Sequence, residues 1–157
     1  MMKKGKKIEL PIAFENRCHE ALISIWWTSA ILNKESRRLF KQFNISEAQF
    51  NIMMLLKYVK ESLTQKDIAE KMLVDKSNIT GLIDSLEKLD YIQRKSVEGD
   101  RRMYHVIFTE KGRAFINKVD KVYEEYVNSI MYSISDNEAK EIVRLTCQIR
   151  KNIAENQ

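Results

Sequence analysis

The chain is poor in the residues that break or staple a fold. Its 157 residues include four glycines, one proline and two cysteines. With Pro11 the single proline, long uninterrupted helices are expected from Ile12 onward. Cys18 and Cys147 stand far apart with no CxxC spacing, which excludes a disulfide framework and a zinc ribbon and suits a reducing cytoplasm. The two histidines, His19 and His105, belong to different elements, and Glu15 with His19 is a lone i, i+4 pair, so neither a metal nor a cofactor is expected. No apolar run approaches a membrane span, and the basic opening MMKKGKKIELP lacks the apolar stretch of a signal peptide. A chain without a phosphate loop, a nucleophile paired with a base, or clustered carboxylates is not expected to be an enzyme.

What the chain has instead is charge and helical periodicity. It is 44% hydrophobic and 31% charged, with a formal net charge of +5. Such a chain can collapse into one ordinary domain, and its positive excess permits a polyanionic partner without requiring one. Lys3, Lys4, Lys6 and Lys7 could add nonspecific phosphate contacts or form a solubilising end.

Apolar residues at helical spacing predict a first helix over 12–43, through Leu22, Ile25, Trp26, Leu32, Leu39, Phe40 and Phe43. Ser46-Glu47-Ala48-Gln49 has the form of a capping box and opens a second helix that ends near Lys60. Thr64, with Asp67 in the first turn, opens a short third helix. Asp75 or Ser77 caps a fourth, whose inward stripe is Ile79, Leu82, Ile83, Leu86 and Leu89. The pattern then turns β-like: 92–96 and 103–108 read as two strands around the charged loop Glu98-Gly99-Asp100-Arg101-Arg102. Thr109 caps the next helix, and Ser135-Asp136-Asn137-Glu138 is a capping box for the last. The order is ααααββαα, a mainly α chain with a small β-hairpin.

Two short helices joined by a tight turn form a helix-turn-helix. A helix entering the major groove buries one face and offers short polar or basic side chains on the other. Lys76, Ser77, Asn78, Thr80 and Gly81 meet that description, with Thr64 and Gln65 at the start of the preceding helix joining the DNA-facing set. Gly81 costs about 1 kcal/mol against alanine in a helix interior, which fits close approach of another surface or a merely permissive exposed position. Arginine at a narrow hairpin tip can enter the minor groove, so Arg101 and Arg102 are candidates there, with Asp100 orienting an arginine and Arg94 and Lys95 reaching phosphates. Taken alone, Gly99-Asp100-Arg101-Arg102 also reads as a solvated turn.

The run Asp75 to Lys88, followed by Tyr91-Ile92, Gly99-Asp100-Arg101-Arg102 and Thr109-Glu110-Lys111-Gly112, closely resembles the MarR family of bacterial regulators over 45–112. The resemblance implies a winged helix-turn-helix at 45–109 that binds an operator in double-stranded DNA, and hence a place at the nucleoid. It also implies a homodimer built from helices at both termini, 1–44 and 110–157, with half-sites about 34–36 Å apart. It assigns the wing's Asp-x-Arg pattern to Asp100 and Arg102, with Arg102 in the minor groove and Arg101 on phosphate. Phe115, Val122, Tyr126, Ile142, Ile149 and Ile153 are the expected dimer interface, an intramolecular core being the alternative.

A small aromatic or anionic effector is implied as well. Trp26, Trp27, Met53, Met54 and Tyr58 are the candidate lining, although such residues at helical spacing are more often core. Cys18, between Arg17 and His19, invites comparison with the family's peroxide sensors, but their cysteine would fall about one turn later, near Leu22. Cys147 is expected in the core. A winged helix that binds protein is the competing reading.

Overall fold

A computed structural model describes residues 13–72, 76–97 and 100–156, with the backbone alone at 76–77, 97 and 100–103. Its elements are α1 (Arg17–Lys41), α2 (Glu47–Tyr58), β1 (Leu63–Thr64), α3 (Gln65–Met72), α4 (Lys76–Lys88), β2 (Ile92–Val97), β3 (Asp100–Phe108), α5 (Glu110–Met131) and α6 (Asp136–Glu155). The expected helices and hairpin are present. The unexpected element is β1, two residues long and too short to show a period.

Local chemistry sets the boundaries. The first helix begins at Arg17, later than expected, because Asn16 takes an extended backbone and its side chain accepts from the N–H groups of Cys18 and His19 at 2.8 and 3.2 Å. It ends in a turn where Asn44 adopts φ of 56°, a left-handed conformation asparagine tolerates. Ser46 and Gln49 close a reciprocal capping box on α2, and Ser135 and Glu138 do the same on α6. Extended Val59 stops α2 at Tyr58, short of Lys60. The backbone of Ser77 already lies within α4, so it is not the cap, while Asp75 lies outside the described residues.

The sheet has the order β1-β3-β2, antiparallel throughout. Leu63 pairs with Val106 and Thr64 with His105, while Ile92 pairs with Phe108 and Arg94 with Val106. Alternation therefore puts Leu63, Val106, Ile92 and Arg94 on one face and Thr64, His105, Lys95 and Gln93 on the other.

By contacts the chain divides into two compact units, one ending at Arg113 and one beginning at Ala114. The first has a continuous core of Phe40, Phe50, Ile52, Met53, Ile68, Ile79, Ile83, Leu86, Ile92 and Val106, each at most 2% exposed. Phe40 stacks on Phe50 with centroids 4.3 Å apart, joining α1 to α2. In the second unit α5 buries Ile116 and Val119, whereas α6 has no buried residue. The expectation that Cys147 is core is not met: it is only half-buried, and Cys18 is exposed.

The turn after α4 is tied to the start of α5. Asp90 has φ of 59°, and the Tyr91 N–H donates to the Leu86 carbonyl at 3.0 Å, closing the helix. Thr109 caps α5 by accepting from the Gly112 N–H at 2.9 Å, and its hydroxyl donates to the Asp90 carbonyl at 2.7 Å. At Gly112 a Cβ would fall 1.7 Å from the Tyr91 oxygen, so a side chain there meets backbone that cannot yield cheaply. Gly112→Ala should cost about 1–3 kcal/mol or prevent folding, read by urea unfolding; a stability equal to wild type would contradict this packing.

At the start of α3, the Asp67 carboxylate accepts from the Thr64 hydroxyl at 2.7 Å and the Thr64 N–H at 2.8 Å. These bonds hold its pKa below the usual carboxylate value. A depressed folded-state pKa stabilises above the ordinary carboxylate range, and that stability is lost as pH falls through the folded value. Asp67→Asn should therefore cost about 0.5–2 kcal/mol at neutral pH, with the deficit closing in acid. Paired urea titrations at the two pH values check this.

Candidate nucleic-acid interface

The fourth helix is held on three sides. Ile79, Ile83 and Leu86 are fully buried, following the inward stripe, with Leu82 and Leu89 only half-buried at its margins. On one flank the buried Gln49 of α2 donates its amide to the Ser85 hydroxyl at 2.9 Å. On the other flank the Gln65 amide donates to the Thr80 hydroxyl, linking the two helices of the helix-turn-helix. What is left outward in the N-terminal half is Asn78, Thr80 and Gly81, all exposed. A Cβ on Gly81 would meet nothing within 4 Å. Packing inside this chain therefore does not require glycine at that position.

Arg94 does not have the free guanidinium expected of a phosphate contact. Lying on the same face of the sheet as Val106, it forms ion pairs with Asp84, at 2.5 Å, and with Glu87, both on α4. Burial disfavours its charge, but the hydrogen bond it donates to Asp84 and the charges of Glu87 and Asp84 outweigh that, and its pKa is raised. Lys95, one residue on, belongs to the opposite face and is exposed. Strand alternation thus separates two basic neighbours that the sequence placed together on phosphate.

The wing is β2 and β3, with an irregularity between Ser96 and Val97 after which Val97 pairs with Asp100. Asp100 and its successors are already strand, so the connection is narrower than the five-residue loop expected. Glu98 and Gly99 lie outside the described residues, as do the side chains of Lys76, Ser77, Asp100, Arg101 and Arg102. His105 lies in the central strand, its Nδ1 buried and without a partner among the described residues.

The five candidate effector-lining residues do not share one environment. Met53 is wholly buried in the core and cannot line an open site, while Trp26 and Tyr58 are 62% and 64% exposed. Trp27 joins Phe14, His19 and Ile23 along a shallow cleft at the start of α1, and Met54 is half-buried. A different cleft, of about 440 Å³, opens between the start of α3 and the sheet, lined by Thr64, Gln65, Asp67, Arg94 and Tyr104. Its polar lining gave no signal in the sequence because the residues come from four separate elements.

A helix-turn-helix whose second helix is buried on one side, small and polar on the other, and backed by a β-hairpin defines a winged-helix DNA-binding regulator. Residues 45–104 match the MarR family model. The chain is 24% identical over 130 residues to the HTH-type transcriptional regulator PecS of Dickeya dadantii, covering 82% of this chain and 78% of that one. It is 27% identical over 127 residues to the HTH-type transcriptional repressor YetL of Bacillus subtilis, covering 80% and 76%. Its fold is similar to a MarR/EmrR family regulator from Acinetobacter sp. ADP1, with a TM-score of 0.78 at 19% identity over 89% of this chain and 99% of that one. It is also similar to Staphylococcus aureus MarR in complex with salicylate and kanamycin, with a TM-score of 0.76 at 17% identity over 89% and 94%. Residues 45–104 are thus a MarR-like region, and the relatives that match the chain are HTH-type transcriptional regulators. Among the described residues no helix is long and apolar enough to cross a membrane.

Because Gly81 borders open space, Gly81→Ala separates the two readings of that glycine. The free protein should gain about 0.4–1 kcal/mol in thermal or urea unfolding. If a DNA surface approaches there, affinity for DNA should fall despite that gain; unchanged affinity makes the glycine merely permissive.

Proposed function

We propose that the protein is a homodimeric repressor that holds a pseudo-palindromic operator and leaves it when a small aromatic or anionic effector binds. Residues 45–109 form the reading head, and 1–44 with 110–157 form the dimerisation region. In the reading head Ser77, Asn78, Thr80 and Gly81 face the major groove, Arg102 enters the minor groove with Asp100 fixing its direction, and Lys76, Lys95 and Arg101 meet phosphate.

The observation that carries the dimer is α6: across 20 residues it buries none, although it bears Ile142, Val143, Leu145 and Ile153, each at least 46% exposed. An apolar face of that size is costly to leave in water, and a second copy of the chain supplies the covering surface. Phe115, Val122, Tyr126 and Ile149, half-buried in the single chain, belong to the same proposed interface. On α1 the exposed Leu22, Ile25, Trp26 and Leu32 add a further apolar face from the other terminus. Repression is supported by the likeness to YetL, and an aromatic acid as effector by the likeness to the salicylate-bound regulator.

One set of measurements tests this reading. Sedimentation should give twice the chain mass, and the protein should bind the DNA upstream of its own coding sequence with a steep salt dependence. Arg102→Ala should weaken that binding by about 1–3 kcal/mol. A monomer, or binding indifferent to Arg102, would overturn the dimer or the wing respectively.

A further inference from the structure

Asp84 and Glu87 are a strange pair to find on a helix that meets DNA. Two carboxylates three residues apart on a recognition helix repel a polyanion unless something neutralises them. One side chain does so. The Arg94 guanidinium donates to Asp84 at 2.5 Å and to Glu87, and the Arg94 backbone N–H donates to the other oxygen of Glu87 at 3.0 Å. A longer contact of 3.5 Å reaches the Gln65 carbonyl oxygen, on the same amide whose nitrogen donates to Thr80. The arginine side chain is 25% exposed, against 47% for Asp84 and 38% for Glu87, so it is the most enclosed member of the group.

We propose that Arg94 is a positioning residue for DNA recognition: a strut that fixes the wing at one angle to the recognition helix while cancelling the two carboxylates of that helix. The proposal rests on the reading in which α4 and the wing contact DNA together. Its logic is geometric. Major-groove contacts from α4 and minor-groove contacts from the tip of β2 and β3 are made at once only if the two elements keep a fixed relation. A side chain from β2 bonded to two successive turns of α4 supplies that relation. The guanidinium is suited to it because its planar fork serves two carboxylates at once, whereas an ammonium of similar length is a point charge on a flexible stem. The Gln65 amide extends the strut to α3, so all three DNA-facing elements meet at one cation. Arg94 acts through Asp84 and Glu87 and not on phosphate.

The two roles differ in what they do to specificity and to salt dependence. Binding is measured over a range of salt for a duplex of the DNA upstream of the gene and for a scrambled duplex of equal length. The proteins are wild type, Arg94→Lys and Asp84→Asn. The second variant keeps Arg94 and its bond to Glu87, so it remains informative if Arg94→Lys unfolds, which circular dichroism reports. A strut predicts that both variants lose preference for the upstream duplex by about tenfold, with the salt slope unchanged. Comparing the two duplexes cancels the general gain in affinity that loss of the Asp84 charge brings. If Asp84→Asn keeps the wild-type preference, or if Arg94→Lys weakens both duplexes equally, the strut is overturned. A wild-type protein with no preference between the duplexes overturns the DNA reading itself, and the strut with it.

Discussion

Burial of one face of α4 is the constraint on which the rest of the fold is arranged. Ile79, Ile83 and Leu86 carry no exposed surface, and α2, α3 and the strand that begins at Ile92 all pack against the helix that bears them. Burying three such side chains is worth roughly 5–9 kcal/mol before the entropy of ordering is subtracted, comparable with the net stability of a whole domain. The helix cannot turn about its axis without exposing them. Its outward residues are therefore fixed as a consequence of its inward ones, and a short polar surface is presented at no further cost in order.

Polar contacts then remove the freedom that an apolar stripe leaves. Hydrophobic burial sets which face is inside but tolerates small rotations and slides. Gln49 on Ser85 and Gln65 on Thr80 are directional, and they grip α4 from opposite flanks. The Arg94 group does the same for the hairpin. At the partly exposed Arg94 group such interactions contribute little to stability, so their effect is on which arrangement is adopted and less on whether the chain folds.

Much of this was legible in the sequence because it depends on neighbours in the chain. Caps such as Ser46 with Gln49 and Ser135 with Glu138 are local, and the stripe from Ile79 to Leu86 is a simple period. The failures are of two kinds. Asn16 was passed over as the start of α1 because apolar residues continue upstream of it, and β1 was missed because two residues have no period to detect. The fate of Arg94 depends on partners 7 and 10 residues away on another element, and on strand pairing that sends it and Lys95 to opposite faces. Likewise Met53 reads as pocket or core with equal ease until the packing around it is known.

The distribution of tryptophan has a practical result. Both indoles of the chain, Trp26 and Trp27, are on α1, and both are well exposed in the single chain. The residues from α2 to β3 contain none. Tryptophan emission therefore reports the surroundings of the first helix alone, free of any contribution from the reading head. Covering that helix with apolar surface would shift the emission to the blue, while events confined to the wing would leave the spectrum dark to them.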